Sequence, residues 1–152
     1  MNSAEVPDAG KLPSEHRNVE NVQAFLRLLE EKDIDRWAEL WDANAEQFYP
    51  YGTEMFPEHL VGKTAIYDRW KALPDMFESL RFPVQEVWSD GDTVIAKFEG
   101  ELIRHDGVRY ENNYICVFKF TDEGKLSAYW EYFDPIPAGI AFDLLEVTYR
   151  RP

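Results

Sequence analysis

Three polar side chains fall at strand positions otherwise filled by hydrophobes: Glu86, Asn113 and Glu131. A carboxylate set among Phe, Val, Ile and Trp loses hydration of its charged form. Its pKa therefore climbs towards neutrality, where a general acid or base works best. Glu131, between Trp130 and Tyr132, is the leading candidate, and Glu86 lies beside a more exposed turn. An amide such as Asn113 or a phenol such as Tyr49 can stabilise charge developing on a substrate oxygen. His59, in the stretch TEMFPEHLVG, is a further candidate proton carrier. Trp41, Tyr51, Trp88, Tyr129 and Phe98 offer ring faces for an apolar substrate. The 3 histidines are scattered without metal-ligand spacing, and no Gly-rich phosphate loop occurs. The expectation is therefore no metal and no other cofactor.

The elements that must hold these residues change period along the chain. From Asn18 to Glu31, Val22, Phe25, Leu26, Leu28 and Leu29 recur at helical spacing. Asp33 reads as the N-cap of a second helix carrying Ile34, Trp37, Leu40 and Trp41. Gln47–Tyr51 reads as a brief edge strand interrupted by Pro50, and a third helix runs from about Lys63 to Leu73, stopped by Pro74. Alternation then takes over in Arg81–Trp88, Thr93–Arg104, Tyr110–Phe120 and Leu126–Phe133, joined by the turns SDGD, HDG and TDEGK. Pro135 ends the last strand, and Ile136–Glu146 is a short closing helix or an irregular tail. This order predicts an α+β fold, a curved antiparallel sheet wrapped around N-terminal helices.

Side chains alternate across a sheet, so hairpin registers sort the two faces. One set holds Phe82, Val84, Glu86 and Trp88; Val94, Ala96, Phe98 and Gly100; Asn113, Ile115 and Val117; and Tyr129, Glu131 and Phe133. The other holds Ile95, Tyr110, Tyr114, Cys116, Phe118, Leu126, Trp130 and Tyr132. Both are apolar. The first would face the helices and a pocket; the second would meet a second copy of the chain, giving a homodimer through the outer sheet face.

The 152 residues suit one domain, read as residues 18–146 between a flexible tail (1–17) and a short C-terminal tail (147–152). At 15% aromatic, the chain has enough ring surface to close a core around a cavity. A net charge of -13 argues against nucleic acid. No run of apolar residues is long enough for a membrane helix, and the N-terminus lacks the pattern of a signal peptide. The single cysteine, Cys116, sits in an apolar strand as a small packed hydrophobe, consistent with a reduced, cytoplasmic setting.

Local motifs add a resemblance. Glu111-Asn112-Asn113-Tyr114-Ile115, the Gly124-Lys125-Leu126 turn and Glu131-Tyr132-Phe133-Asp134-Pro135-Ile136 resemble the phenazine-biosynthesis A/B proteins. Residues 33–52 and Val61-Gly62-Lys63 match the entry patterns of the SnoaL-like branch of the nuclear transport factor 2-like superfamily. The likeness spans Asn18 to Ile136 and implies a cone-shaped fold around a ligand pocket. It also implies that Glu131 protonates the substrate. The histidine those proteins use after the third-helix glycine is Lys63 here, so His59 would have to enter from the loop. Compared with ketosteroid isomerase, Tyr49 stands where the carboxylate base belongs, Phe25 replaces a tyrosine donor and Asn113 falls near the second oxyanion donor.

These readings imply an enzyme of secondary metabolism. It would cyclise, isomerise or dehydrate a hydrophobic cyclic or polyketide-like substrate by proton transfer. The alternative is a non-catalytic small-ligand-binding protein of the same fold; a structural dimerisation module is a third reading.

Overall fold

The computed structural model describes residues 11–152. Helix α1 spans Pro13–Glu30. It opens on a proline whose missing N–H would have had no intrahelical partner there. Residues 13–17, expected in the flexible tail, are therefore helical, whereas residues 1–10 of that expected tail lie outside the described residues. Val22, Phe25, Leu26 and Leu29 are buried along the inward stripe. Helix α2, Ile34–Glu39, is capped by Asp33, whose Oδ1 accepts from the Arg36 N–H at 3.2 Å. The chain leaves the helix at Leu40, and Trp41, expected on α2, instead begins strand β1, Trp41–Phe48.

The remaining elements are β2 (His59–Val61), α3 (Lys63–Trp70), α4 (Leu73–Met76), β3 (Phe77–Arg81), β4 (Val84–Asp90), β5 (Thr93–Arg104), β6 (Arg109–Phe120), β7 (Leu126–Phe133) and α5 (Pro135–Ala141). Seven strands form one curved, unclosed sheet in the order β2-β1-β7-β6-β5-β3, with β4 also on β5. The expected strand Arg81–Trp88 is two pieces. Pro83 has no N–H to give to a ladder, so β3 pairs the C-terminal half of β5 and β4 pairs its N-terminal half. All pairs are antiparallel except β1 with β7, which run parallel and set Gln47 beside Tyr129.

The faces differ from expectation at two hairpins. Between β5 and β6 the Arg104 N–H donates to the Val108 oxygen at 2.8 Å, and the Gly107 N–H donates to the Arg104 oxygen at 2.9 Å. The loop proper is thus His105-Asp106-Gly107, with Gly107 at φ 87°. Three residues, rather than two or four, pair even positions with even ones: Val94 with Phe118, Phe98 with Tyr114. Tyr110, Asn112, Tyr114, Cys116 and Phe118 therefore face inward, and Asn113, Ile115 and Val117 face outward, the reverse of the sequence expectation. Between β4 and β5 only Gly91 and Asp92 intervene, so Trp88 pairs with Ile95 on the outer face and is 48% exposed. Glu86, opposite Lys97, also points outward, and the irregularity between Val84 and Glu86 reconciles this with the inward Val84. Tyr129, Glu131 and Phe133 face inward as expected, since Cys116 pairs with Glu131 and Tyr114 with Phe133.

Phe25 ties α1 to the sheet, with its ring centroid 5.2 Å from those of Trp37, Phe118 and Tyr129. Helix α1 fills one end of the concave face. A cavity remains at the other.

Candidate active site

The cavity has a volume of about 270 Å³, room for a small ring compound. Phe25, Leu26 and Leu29 of α1 form one wall, and Arg69 and Trp70 of α3 another. The sheet contributes Tyr49, Phe98, Tyr114, Tyr129, Glu131 and Phe133, and α5 closes one side with Ala138. Phe142 and Leu144, just beyond α5, also line it. The Arg104 guanidinium holds this last segment by donating to the Ala141 oxygen at 2.9 Å and to Asp143 Oδ2 at 3.0 Å.

Among the described residues, Glu131 is the one carboxylate in the lining. The Tyr129 hydroxyl donates to its Oε1 at 2.7 Å, and Cys116 Sγ lies 3.4 Å from the same hydroxyl. Burial pushes the Glu131 carboxyl up to about 7, against the opposing pull of the Tyr129 hydrogen bond and the Arg69 guanidinium. The group thus changes protonation near neutral pH and can give or take a proton there. Its second oxygen has no hydrogen-bond partner among the described residues.

Tyr49 stands at the end of a fixed relay. The Trp70 indole N–H can only donate, and it meets Gln47 Oε1 at 2.9 Å. That contact fixes the Gln47 amide, whose Nε2 then donates to the Tyr49 hydroxyl oxygen at 2.9 Å. Gln47 is fully buried, so the relay has no solvent to exchange with. The Tyr49 oxygen is therefore an acceptor inside the relay, and its own hydrogen has no acceptor among the described residues. Desolvation first, and the nearby Glu131 charge second, raise the Tyr49 pKa well above that of a free phenol, so that hydrogen stays in place.

A second polar group lies on β6. Tyr110 and Tyr114, four residues apart on one strand, bring their hydroxyls within 2.9 Å of each other, and both line the cavity. Burial raises the phenol of Tyr110 to about 12 and that of Tyr114 well above its usual value.

Four of the ten residues singled out in the sequence thus meet at the cavity: Glu131, Tyr49, Tyr129 and Phe98. The other six lie elsewhere, Glu86 on the outer face opposite Lys97. His59 is on the edge strand β2, stacked on Phe48 at 4.4 Å and within 3.1 Å of Glu46, away from Glu131. Asn113 faces out because of the three-residue loop. Trp41 is core, packed against Phe25, Trp37 and Tyr129. Tyr51 is exposed against Tyr132, and Trp88 is on the outer face. The sequence reading missed Tyr110 and Tyr114, assigned to the wrong face, and Arg69, a charged residue on a helix that was read only for its bounds.

The chain also matches a known family. The SnoaL-like domain profile matches residues 22–129, and the chain belongs to that family, within the nuclear transport factor 2-like superfamily. It is 36% identical over 127 residues to the uncharacterized protein YesE of Bacillus subtilis (strain 168), covering 81% of this chain and 85% of that one. A crystal structure from Bacillus subtilis, of a protein named provisionally as an isomerase, superposes with a TM-score of 0.80 at 33% identity, covering 88% of this chain and 98% of that one. An uncharacterized phenazine A/B-like protein of Pseudomonas aeruginosa, PA3332, is 25% identical over 114 residues, covering 73% of this chain and 79% of that one.

Proposed function

We propose that this protein is an enzyme that moves a proton on a small, hydrophobic, ring-containing substrate, without a cofactor, in an isomerisation, cyclisation or dehydration. The observation that carries the reading is Glu131: a single carboxyl in an apolar cavity, raised to about 7 and held by Tyr129. Glu131 takes a proton from carbon or delivers one to it, and its free oxygen is the reacting atom. Tyr49 donates its unspent hydrogen to the substrate oxygen that gains negative charge. The rings of Phe98 and Phe133 exclude water and so strengthen both interactions. The provisional naming of one relative as an isomerase agrees with this chemistry.

The test is proton exchange. A panel of cyclic ketones is incubated with the protein in heavy water, and deuterium uptake beside the carbonyl is followed by NMR. Wild-type protein accelerates exchange of at least one ketone, and Glu131→Gln does not. Equal acceleration by the variant removes the role assigned to Glu131.

The same reading includes a homodimer through the outer face. There Trp88, Ile95, Val117, Trp130 and Phe48 fall in one row across five strands. Phe48 stacks on Trp130 at 5.0 Å and 8°. An apolar row of this kind is what a second copy covers. A cytoplasmic setting suits the lone buried thiol of Cys116.

A further inference from the structure

The hydrogen atoms of the cavity's phenols can be counted, and the count says more about the substrate than the shape does. Asn112 is buried, and all its hydrogen-bonding capacity is used within the protein. Its Oδ1 accepts from the N–H groups of Asp134 at 3.0 Å and Asn113 at 2.8 Å. Its Nδ2 donates to the Asp134 oxygen at 2.9 Å and to the Tyr110 hydroxyl at 2.8 Å. A main-chain N–H only donates and a carbonyl only accepts, so the amide has one orientation. The Tyr110 oxygen is consequently an acceptor. Between Tyr110 and Tyr114 runs one hydrogen bond, which uses one of their two hydroxyl hydrogens whichever is the donor. The other has no acceptor among the described residues, and both tyrosines line the cavity.

Tyr49 leaves a second hydrogen unspent, from the Gln47 relay on β1. Two separate hydrogen-bond donors therefore belong to residues that line one cavity, Tyr49 just beyond β1 and the pair on β6, with Glu131 as its one carboxylate among the described residues. A bound hydrocarbon would strand both hydrogens, and a monoketone would strand one.

Resting on the proton-transfer reading above, we infer that the substrate is a compact ring system bearing two carbonyl-type oxygens, one received by Tyr49 and the other by the Tyr110–Tyr114 pair. A cyclic dione, or its enol, is the chemical class. Burial keeps the phenols un-ionised, so both act as donors throughout a turnover. A carbonyl held at each end withdraws electrons from the carbon between or beside them, which brings its C–H within reach of a base that titrates near neutrality.

The test uses three probes of one shape: 2,2-dimethylindane, its 1-ketone and its 1,3-dione, none of which has a removable proton between the carbonyls. Affinities are measured by titration calorimetry. Wild-type protein binds the dione about fivefold more tightly than the monoketone, roughly 1 kcal/mol for one added neutral hydrogen bond. Tyr49→Phe abolishes that preference, and so does the double variant Tyr110→Phe/Tyr114→Phe. Each single variant of the pair leaves one surplus hydrogen and retains a preference. Every variant binds the hydrocarbon at least as tightly as the wild type, because none strands more hydroxyl hydrogens, which shows that the cavity persists. Absence of a dione preference in the wild type, or its survival in the folded double variant, overturns the inference. If this happens while Glu131 still titrates near neutrality, the proton-transfer reading stands alone. If none of the three probes binds the wild type, both readings fall.

Discussion

Replacing Glu131 by glutamine exchanges a group that loses hydration when charged for one that is always neutral. The effect on stability depends on pH in a way that can be worked through. In the unfolded chain a glutamate titrates at 4.5, and in the fold Glu131 titrates at about 7. Below 4.5 both states hold the proton and the charge costs nothing. Between 4.5 and about 7 the folded state still holds a proton that the unfolded state releases, so stability falls as pH rises. Above about 7 the whole penalty is present. The difference of about 2.5 pH units, at about 1.4 kcal/mol each, is about 3 kcal/mol. Glu131→Gln keeps an acceptor for the Tyr129 hydroxyl and removes the penalty. It should leave stability nearly unchanged at pH 4 and raise it by up to about 3 kcal/mol at pH 8.5. The melting temperature of a domain this size then rises by roughly 6–12 °C at the higher pH. Urea denaturation of both proteins at several pH values measures the difference, and because only the variant-minus-wild-type term is used, other titrating groups cancel. A gain that is the same at pH 4 and pH 8.5, or no gain at all, refutes the assignment of a neutral-range pKa to this carboxyl.

Arg69 holds the Glu131 pKa down, so Arg69→Gln should move it further above its present value, read from carboxyl carbon shifts in a pH titration by NMR; an unmoved midpoint removes the guanidinium from the electrostatics of the site. Gln47→Leu strands the Trp70 indole N–H and leaves the Tyr49 hydroxyl without its buried donor. A loss of about 1–3 kcal/mol is expected on chemical denaturation, and a neutral result would mean that the relay adds nothing. At Gly100 an added Cβ would lie 2.7 Å from Tyr114 Cε2, so Gly100→Ala should destabilise by about 1–3 kcal/mol; unchanged stability would show that the Tyr114 ring moves freely. Trp130→Glu puts a charge in the outer apolar row, between Val117 and Phe48. Light scattering should report a dimer for the wild type and a monomer for the variant, and a monomeric wild type ends the dimer proposal.

The parts of the fold that were legible are those whose signal lies within one element. The spacing of Val22, Phe25, Leu26 and Leu29 defines α1 because a helix must gather its apolar side chains on one stripe. The inward set Tyr129, Glu131 and Phe133 follows from strand alternation alone. What escaped was relational. Asp106-Gly107 announces a turn, but the Arg104–Val108 closure sets its length, and a difference of one residue exchanges Asn113 for Asn112 and Tyr114. Parallel pairing of β1 with β7 joins segments some eighty residues apart, and nothing local to Gln47 predicts that it will lie beside Tyr129. His59 illustrates the same limit. Its type suggested proton transfer, yet its neighbours on β1, Phe48 and Glu46, give it a stacking and hydrogen-bonding role.

The His105-Asp106-Gly107 loop has a further consequence, since it works as a reading frame for strand β6. A slip of the closing pair by one residue would be felt far from the loop, as a frameshift expressed in side chains. Tyr110, Asn112 and Tyr114 would turn towards solvent, and Glu111, Asn113 and Ile115 would take their places against the cavity. A chain of nearly unchanged composition would then carry two extra polar groups of the wrong kind and no paired phenols. The buried side of β6 resists that change, because Lys119 would have to enter the core in place of Phe118. In this protein the chemical identity of the pocket is thus encoded partly as a length, three residues, at a surface turn that never touches the substrate.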